Sequence, residues 1–203
     1  MRWAIPITAL LVAAAACSSG HRSATRVGIS EKGRIGPLRM ERSSRANVIA
    51  FLGRPDAERR GSEFGGPPFR ALGYECSRSH KDDAFPLVET SRGRSGPSCR
   101  TVFWINERTG TLADFYTTSR RYSESHGVRI GMKTAEAEHL LGQRVFVGCE
   151  ASIPLGKLPL TIAFSGGAPR KTHPSSALHL IGGHVYAFVL HGLYSDVGIF
   201  DCL

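Results

Sequence analysis

The chain has 203 residues and a formal net charge of +9, because 26 lysines and arginines outnumber 17 aspartates and glutamates. Its arginines are scattered through polar segments instead of lining one helix, and no DNA- or RNA-reading motif is present, so no nucleic-acid partner is expected. A chain of this length forms one large domain or two small ones.

The first residues have the organisation of an export signal. Arg2 precedes an apolar run from Trp3 to Ala16, and the polar segment SSGHRS follows shortly after it. A membrane-spanning helix needs about 20 apolar residues, so this run is too short to serve as an anchor. We therefore expect a removed signal peptide over residues 1–16.

Cys17 follows three alanines, which resembles the lipobox of bacterial lipoproteins. This resemblance implies lipidation of Cys17 and attachment to a membrane through that lipid. The alternative is plain signal-peptidase cleavage near Ala16, which would release a secreted protein. Either route places the mature chain outside the cytoplasm.

Residues 17–34 are small, polar and charged and predict a flexible tether. A first repeat is expected over residues 35–126, beginning with a short helix. Ser43 or Ser44 can cap this helix, and Gly53 supplies a left-handed stop. Its apolar stripe consists of Val48, Phe51 and Leu52.

A second repeat is expected over residues 127–203, because the same pattern returns. Thr134 is the predicted cap, Glu136 lies in the first turn, and Gly142 ends the helix. The apolar stripe consists of Ala137, Leu140 and Leu141. Helices this short are not stable alone in water, so each must pack on a partner layer.

That layer is predicted downstream of each helix. In the first repeat, TVFWI, a turn at Gly110 and TLADFYT form a hairpin; in the second, ALHLI, a two-residue GG turn and HVYAFVL do the same. The sequence therefore predicts an α+β fold of two tandem repeats, each with a short helix packed on a small antiparallel sheet.

Four cysteines remain after Cys17, which is an even number in an exported chain and predicts two disulfides. Four cysteines allow three pairings, which the sequence leaves open. The pairing of Cys76 with Cys99 and of Cys149 with Cys202 is favoured, because each bond then closes within one repeat.

The second helix motif resembles that of the small-protein-A family of outer-membrane-assembly lipoproteins, and the tandem form is similar to the secreted β-lactamase-inhibitor proteins. The matching residues are Gly131, Met132, Thr134, Leu140, Leu141 and Gly142. The resemblance implies a sheet surface presented to a protein partner. We expect an exported, lipid-anchored, non-catalytic binding or assembly module of the bacterial cell envelope; the alternative is a secreted inhibitor of an extracellular hydrolase such as a β-lactamase.

No catalytic, cofactor or metal site is predicted. His179, His184 and His191 lie around the second predicted hairpin, but their spacing matches no metal-binding signature. No G-x-S-x-G nucleophile motif occurs, and cysteines in an exported protein favour disulfides over nucleophiles.

Aromatic residues near arginines give a candidate partner-binding surface. Adjacent residues of a strand point to opposite faces of the sheet, so one face of the first predicted hairpin can be open to solvent. Trp104 of its first strand and Tyr116 of its second strand can share this open face with Arg120 and Arg121. Such a composition is typical of protein-binding patches. The alternative is that the aromatic side chains seal the joint between the two repeats.

Overall fold

The structure is a computed structural model, and it describes residues 26–61, 68–79, 84–87, 89–90, 93–94, 97–147, 151–155, 160–166, 168–171 and 178–192. The predicted signal peptide, Cys17, Cys149 and Cys202 lie outside these ranges.

The described chain is mainly β, with two short helices. The strands of the first part are β1 (Val27–Ser30), β2 (Arg34–Ile35), β3 (Leu38–Arg39), β4 (Ala57–Gly61), β5 (Phe69–Ser77), β6 (Phe85–Pro86), β7 (Glu89–Thr90), β8 (Gly93–Arg94), β9 (Ser98–Asn106), β10 (Thr111–Thr117) and β11 (Tyr122–Glu124). The later strands are β12 (Phe146–Val147), β13 (Ala151–Leu155), β14 (Leu160–Ser165), β15 (Ala168–Lys171), β16 (Leu178–Ile181) and β17 (His184–His191). The helices are α1 (Arg45–Leu52), before β4, and α2 (Thr134–Leu141), before β12.

A large sheet with antiparallel pairing forms the body of the protein. Its strands lie in the order β15-β16-β12-β13-β14-β17-β10-β9-β5-β4, with β6 paired to β9 at the side. A separate mixed sheet has four strands in the order β11-β1-β2-β3, and β7 pairs with β8 alone. The two halves of the large sheet meet where β10 pairs with β17.

The small sheet corrects the predicted tether. β1 lies inside residues 17–34, where its Val27 pairs in parallel with Tyr122 of β11. Ile29 is fully buried, and Val27 packs against the main hydrophobic cluster. The alternation of these two apolar residues was the missed signal, and the tether prediction is wrong from Val27 onward.

The first helix begins as predicted. The side chain of its N-cap, Ser44, accepts a hydrogen bond from the backbone of Asn47, whose side chain accepts one from the Ser44 backbone at 2.8 Å. This reciprocal cap satisfies amide groups that the helix leaves unpaired. Val48 is fully buried, and the helix ends at Gly53, where φ is +86°. A positive φ favours glycine, although ψ at Gly53 lies outside the left-handed helical region.

The second helix differs from its prediction at its N-terminus and in one residue of its apolar stripe. Its N-cap is Lys133, which supplies no side-chain hydrogen bond, and Thr134 is the first helical residue. The predicted cap at Thr134 is wrong because a β-bridge to His184 keeps Lys133 extended. Leu140 is 41% exposed, so its assignment to the apolar stripe is wrong, whereas Gly142 ends the helix in the predicted left-handed conformation. Among the described residues, no helix combines the length and apolarity that crossing a membrane requires.

Each helix is joined to the first residue of a central strand. Ser44, the N-cap of α1, forms an antiparallel bridge with Thr111 at the start of β10. Lys133, the N-cap of α2, forms the same bridge with His184 at the start of β17. The entry to each helix is therefore fixed by the strand that lies at the middle of the sheet.

The predicted hairpin through Gly182 and Gly183 is wrong. β16 lies between β15 and β12, whereas β17 lies between β14 and β10. Both glycines have positive φ, and a Cβ at Gly183 would collide with the carbonyl oxygen of Gly166. This close approach places the start of β17 against the end of β14, so the chain does not fold back on β16.

Hydrophobic clusters cover both faces of the large sheet. The first cluster joins sheet residues such as Phe103 and Phe188 to Ile29 of the small sheet and Val48 of α1. The second cluster, on the other face, contains Trp104 and lies partly beneath Phe85. Burying an aromatic or branched side chain fully contributes about 1.5–3 kcal/mol, so these clusters supply the main stabilising force.

The predicted disulfide between Cys76 and Cys99 is confirmed. The two cysteines lie directly opposite each other on β5 and β9. Gly73 gives the bond its space, because a Cβ built on Gly73 would lie 2.5 Å from the Cys99 sulfur and 2.9 Å from the Cys76 sulfur. The second predicted pair, Cys149 with Cys202, lies outside the described residues.

Tyr74 ties β5 to the end of α1. Its hydroxyl donates a hydrogen bond to the Gly53 carbonyl oxygen at 3.1 Å, and its ring meets Phe103 edge-on at a centroid distance of 5.9 Å. Burial disfavours the charged phenolate and raises the pKa of Tyr74 to about 12. Burial also raises the pKa of Tyr122 well above its ordinary value.

Replacement of Gly73 tests the packing around the disulfide. We expect Gly73→Ala to lower the free energy of unfolding by about 1–3 kcal/mol, because the added methyl overpacks the space beside the two sulfurs. Urea denaturation followed by circular dichroism measures the effect. Gly28→Ala is the matched control, since a Cβ on that strand glycine meets nothing within 4 Å. Equal losses in the two variants would contradict the assignment.

Alkaline unfolding tests the burial of Tyr74. In the unfolded chain its phenol ionises near its ordinary pKa of 10.0, whereas the folded protein holds the proton until about pH 12. The contribution of the neutral phenol is therefore complete below pH 10.0 and is lost as the pH rises toward 12. Tyr74→Phe is expected to lower stability by about 1 kcal/mol at neutral pH, through the lost hydrogen bond. It should also make the decline above pH 10.0 shallower than in the unsubstituted protein; an unchanged slope would refute the interpretation.

Candidate anion-binding groove

Two adjoining cavities lie at one end of the central strands, where β10 ends and β17 begins. Their volumes are about 390 and 530 Å³, and both are lined by Arg120, Ile130 and Gly131. We call this surface the arginine groove. Its arginine, glutamate and histidine lining residues, among those described, are Arg26, Arg100, Arg120, Arg121, Arg129, Glu75, Glu136 and His184.

Backbone hydrogen bonds bring the first arginines together. After β10 the chain turns, and the Thr118 amide donates to the Arg100 carbonyl at 2.8 Å. The Val27 amide donates to the Arg121 carbonyl at 2.8 Å, which places Arg26 beside Arg121 at the edge of the small sheet. Three distant parts of the sequence are thus held at one place by main-chain geometry.

Arg129 enters the groove from the segment before α2. It forms a β-bridge with Ser123 of β11, and two residues later the Gly131 amide donates to the Val185 carbonyl at 2.8 Å. Gly131 has a φ of +86°, and a Cβ there would lie 3.7 Å from a terminal nitrogen of Arg120. The Arg120 guanidinium therefore lies against the backbone of Gly131, where no side chain intervenes.

Glu75 is the carboxylate in the larger cavity. It accepts a hydrogen bond from the Ser119 hydroxyl at 2.8 Å and lies 3.9 Å from Arg121, whose side chain is 55% exposed. Its φ of +53° is uncommon for a residue other than glycine. An exposed ion pair at that distance contributes about 0–1 kcal/mol, so it offsets little of the positive charge.

Two arginines outside the groove, one in α1 and one in β5, lie close to carboxylates. Arg45 lies 2.8 Å from Glu58, and Arg70 lies 2.7 Å from Glu107. Hydrogen bonding from Arg45, aided by Arg70, holds the pKa of the Glu58 carboxyl below its usual value. The arginine groove differs from this network because five arginines there face two glutamates among the described lining residues.

The four residues predicted to bind a partner separate into two places. Arg120 and Arg121 are exposed in the arginine groove. Trp104 and Tyr116 are only 1% and 6% exposed and pack in the second hydrophobic cluster, with the Phe85 ring 5.0 Å from that of Trp104. The two aromatic residues do share a face, but that face is covered, so the predicted open patch is wrong.

The histidines of the second half are far apart or undescribed. His184 and His191 are the first and last residues of β17, and the seven residue-to-residue steps between them span roughly 24 Å. His184 contacts the Ser165 hydroxyl at 3.3 Å, and His191 contacts the buried carboxylate of Asp114 at 3.2 Å. The side chain of His179 is not described, and the described residues contain no group of three or more potential ligands placed to hold a metal ion.

Sequence reasoning missed most of the groove. Arg26 was assigned to a tether, and Arg129 lies between the apolar residues Val128 and Ile130, ahead of the second predicted helix. The alternation of that segment does predict that Arg129 faces away from the buried Val128. Its proximity to Arg120 depends on a parallel pairing and a β-bridge, which no local pattern reveals.

Comparisons with known proteins identify a similar structure and no family. No protein-family model matches the chain, and no curated protein matches it in sequence. Among solved structures, the chain is similar to the uncharacterized protein YfeY from Escherichia coli, with 15% sequence identity and a TM-score of 0.47. The match covers 81% of this chain and 99% of that chain.

Proposed function

We propose that the protein is an exported, non-catalytic binding module of the bacterial cell envelope, held at a membrane by a lipid on Cys17. Its arginine groove is the surface that binds an anionic partner. The observation that carries this proposal is the convergence of five arginines on one open surface between the two halves of the sheet. Guanidinium groups suit carboxylate and phosphate partners because their fork of donors matches both.

The disulfide supports the location. Disulfides such as Cys76–Cys99 form and persist in oxidising compartments, which favours a place outside the cytoplasm. Together with the export signal over residues 1–16, this bond supports secretion of the mature chain.

The two-repeat organisation is also part of the proposal. The Leu112 amide of β10 donates to the Ser43 carbonyl at 2.7 Å, and the Val185 amide of β17 donates to the Met132 carbonyl at 2.9 Å. Both strand residues are fully buried and each lies one residue beyond a helix-cap bridge. These matching contacts support an origin from two related units, each a helix followed by antiparallel strands.

A secreted inhibitor of an extracellular hydrolase, such as a β-lactamase, is the second candidate. The side-by-side joining of the two units through β10 and β17 favours it, because the resembling inhibitors are built from two such units. An inhibitor needs no lipid, whereas the envelope module depends on one.

Labelling of Cys17 separates the two candidates. We expect the wild-type protein to incorporate a palmitate analogue and to sediment with membranes. Cys17→Ser should abolish the label and release the chain, because the only proposed lipid attachment point is removed. Gel fluorescence and fractionation measure both effects. Finding the wild-type protein unlabelled in the culture medium would refute the lipid-anchored proposal and favour the inhibitor.

Site-specific crosslinking in intact cells tests the groove as the binding surface. A photo-crosslinking residue at position 120 is expected to form a covalent adduct with an envelope component. The same residue at position 108, in the exposed turn between β9 and β10, is the matched control and should give none. Mass spectrometry of the adduct distinguishes protein from lipid. Equal crosslinking at the two positions would show that the groove is not a preferred contact.

A further inference from the structure

The arginine groove lies next to the point where the proposed anchor segment joins the fold. Arg26, which lines the 390 Å³ cavity, is the first described residue and lies nine positions after Cys17. A fully extended chain of that length spans at most roughly 30 Å. A lipid on Cys17 would therefore keep the groove within this distance of the membrane surface.

The chemistry of the smaller cavity suits a phosphodiester. Arg26, Arg120 and Arg129 line it from three separate segments. Arginine side chains bind phosphate oxygens through paired N–H donors, and these charge-assisted bonds are stronger than neutral ones. All three arginines are exposed, so their guanidinium groups are accessible to a ligand from solvent or from a membrane surface.

The groove is larger than a site for a small ion needs to be. The two cavities, of about 390 and 530 Å³, are each within the range of about 300–1,000 Å³ found for small-molecule sites. They meet at Ile130 and Gly131, and the half-buried side chains of Ile130 and Tyr186 add apolar surface beside the charges. A headgroup with a glycerol backbone has this combination of a charged phosphate and less polar neighbouring atoms.

We propose that the arginine groove binds the phosphodiester headgroups of anionic phospholipids in the membrane that carries the Cys17 lipid. This inference rests on the proposed function and names the anionic partner. The groove then acts as a second attachment beside the lipid. A basic surface alone attracts a protein only weakly to anionic lipids, so the groove adds to the attachment by the lipid and does not replace it.

Two carboxylates limit the strength of this attachment. Glu136, in the first turn of α2, lines the smaller cavity, and Glu75 lines the larger one. Each repels a phosphate and lowers the positive potential that the arginines produce. Removing the charge of Glu136, which is exposed, therefore strengthens headgroup binding.

Vesicle sedimentation tests the inference without the lipid anchor. The processed chain, residues 17–203, carries Cys17→Ala and is mixed with vesicles of phosphatidylcholine containing phosphatidylglycerol, or with vesicles of phosphatidylcholine alone. We expect binding to the anionic vesicles that weakens as NaCl rises, since salt screens surface charge. Because this chain lacks the lipid, the result is independent of whether Cys17 is lipidated.

Paired variants separate the groove from net charge. Arg120→Gln with Arg129→Gln is expected to weaken partitioning about 25-fold, since each basic residue at the surface contributes about five-fold. Arg42→Gln with Arg108→Gln is the matched control; both arginines are exposed and lie near the opposite end of β10. The control pair should change partitioning by less than about two-fold. Glu136→Gln should strengthen it about five-fold.

Folding and competing ligands are checked in the same experiment. Circular dichroism confirms the fold of each variant, and Arg120→Lys with Arg129→Lys should retain most of the vesicle binding because lysine keeps the charge. Equal partitioning on the two kinds of vesicle, or equal losses in the groove and control pairs, would overturn the inference. The inference would also be overturned if inorganic phosphate, at a concentration equal to that of the lipid, displaced the protein from the vesicles. Binding to polyglutamate but not to vesicles would indicate that the anionic partner is an acidic protein and not a lipid. That result would overturn this inference but would leave the proposed function intact.

Discussion

The antiparallel pairing of β10 with β17 is the constraint on which the structure depends. Phe115 lies opposite Leu190 in the first hydrophobic cluster, and Tyr116 lies opposite Val189 in the second. Both strands are therefore buried on both faces and join two sets of strands into one sheet. A shift of this register by one residue would move the side chains of one strand from each cluster to the opposite face of the sheet.

The same pairing determines where charge can gather. The first residues of β10 and β17 hold the N-caps of α1 and α2, so the helices cannot shift independently of the sheet. The turn after β10 and the segment before α2 must then meet at one end of these strands. Arg120 and Arg129 come from those two segments, which explains why arginines far apart in sequence share one surface.

Local patterns predicted the features that local physics controls. The serine cap of α1, the positive φ of Gly53 and the turn between β9 and β10 are each decided within a few residues, and the Cys76–Cys99 bond followed from the expected repeat boundary. The wrong predictions depend on distant contacts. Val27 becomes a strand residue because β11 lies beside it, and Trp104 is covered by Phe85 of the two-residue strand β6, whose position no periodicity reveals. The groove belongs to this second group.

The disulfide lies next to two residues that line the arginine groove. Glu75 precedes Cys76, and Arg100 follows Cys99, so two lining residues are direct neighbours of the joined sulfurs. Before oxidation, the ends of β5 and β9 lack this covalent constraint, and the spacing of the two charges is set by the strand pairing alone. Under the proposed function, the groove would therefore reach its final geometry only in the compartment that oxidises the chain.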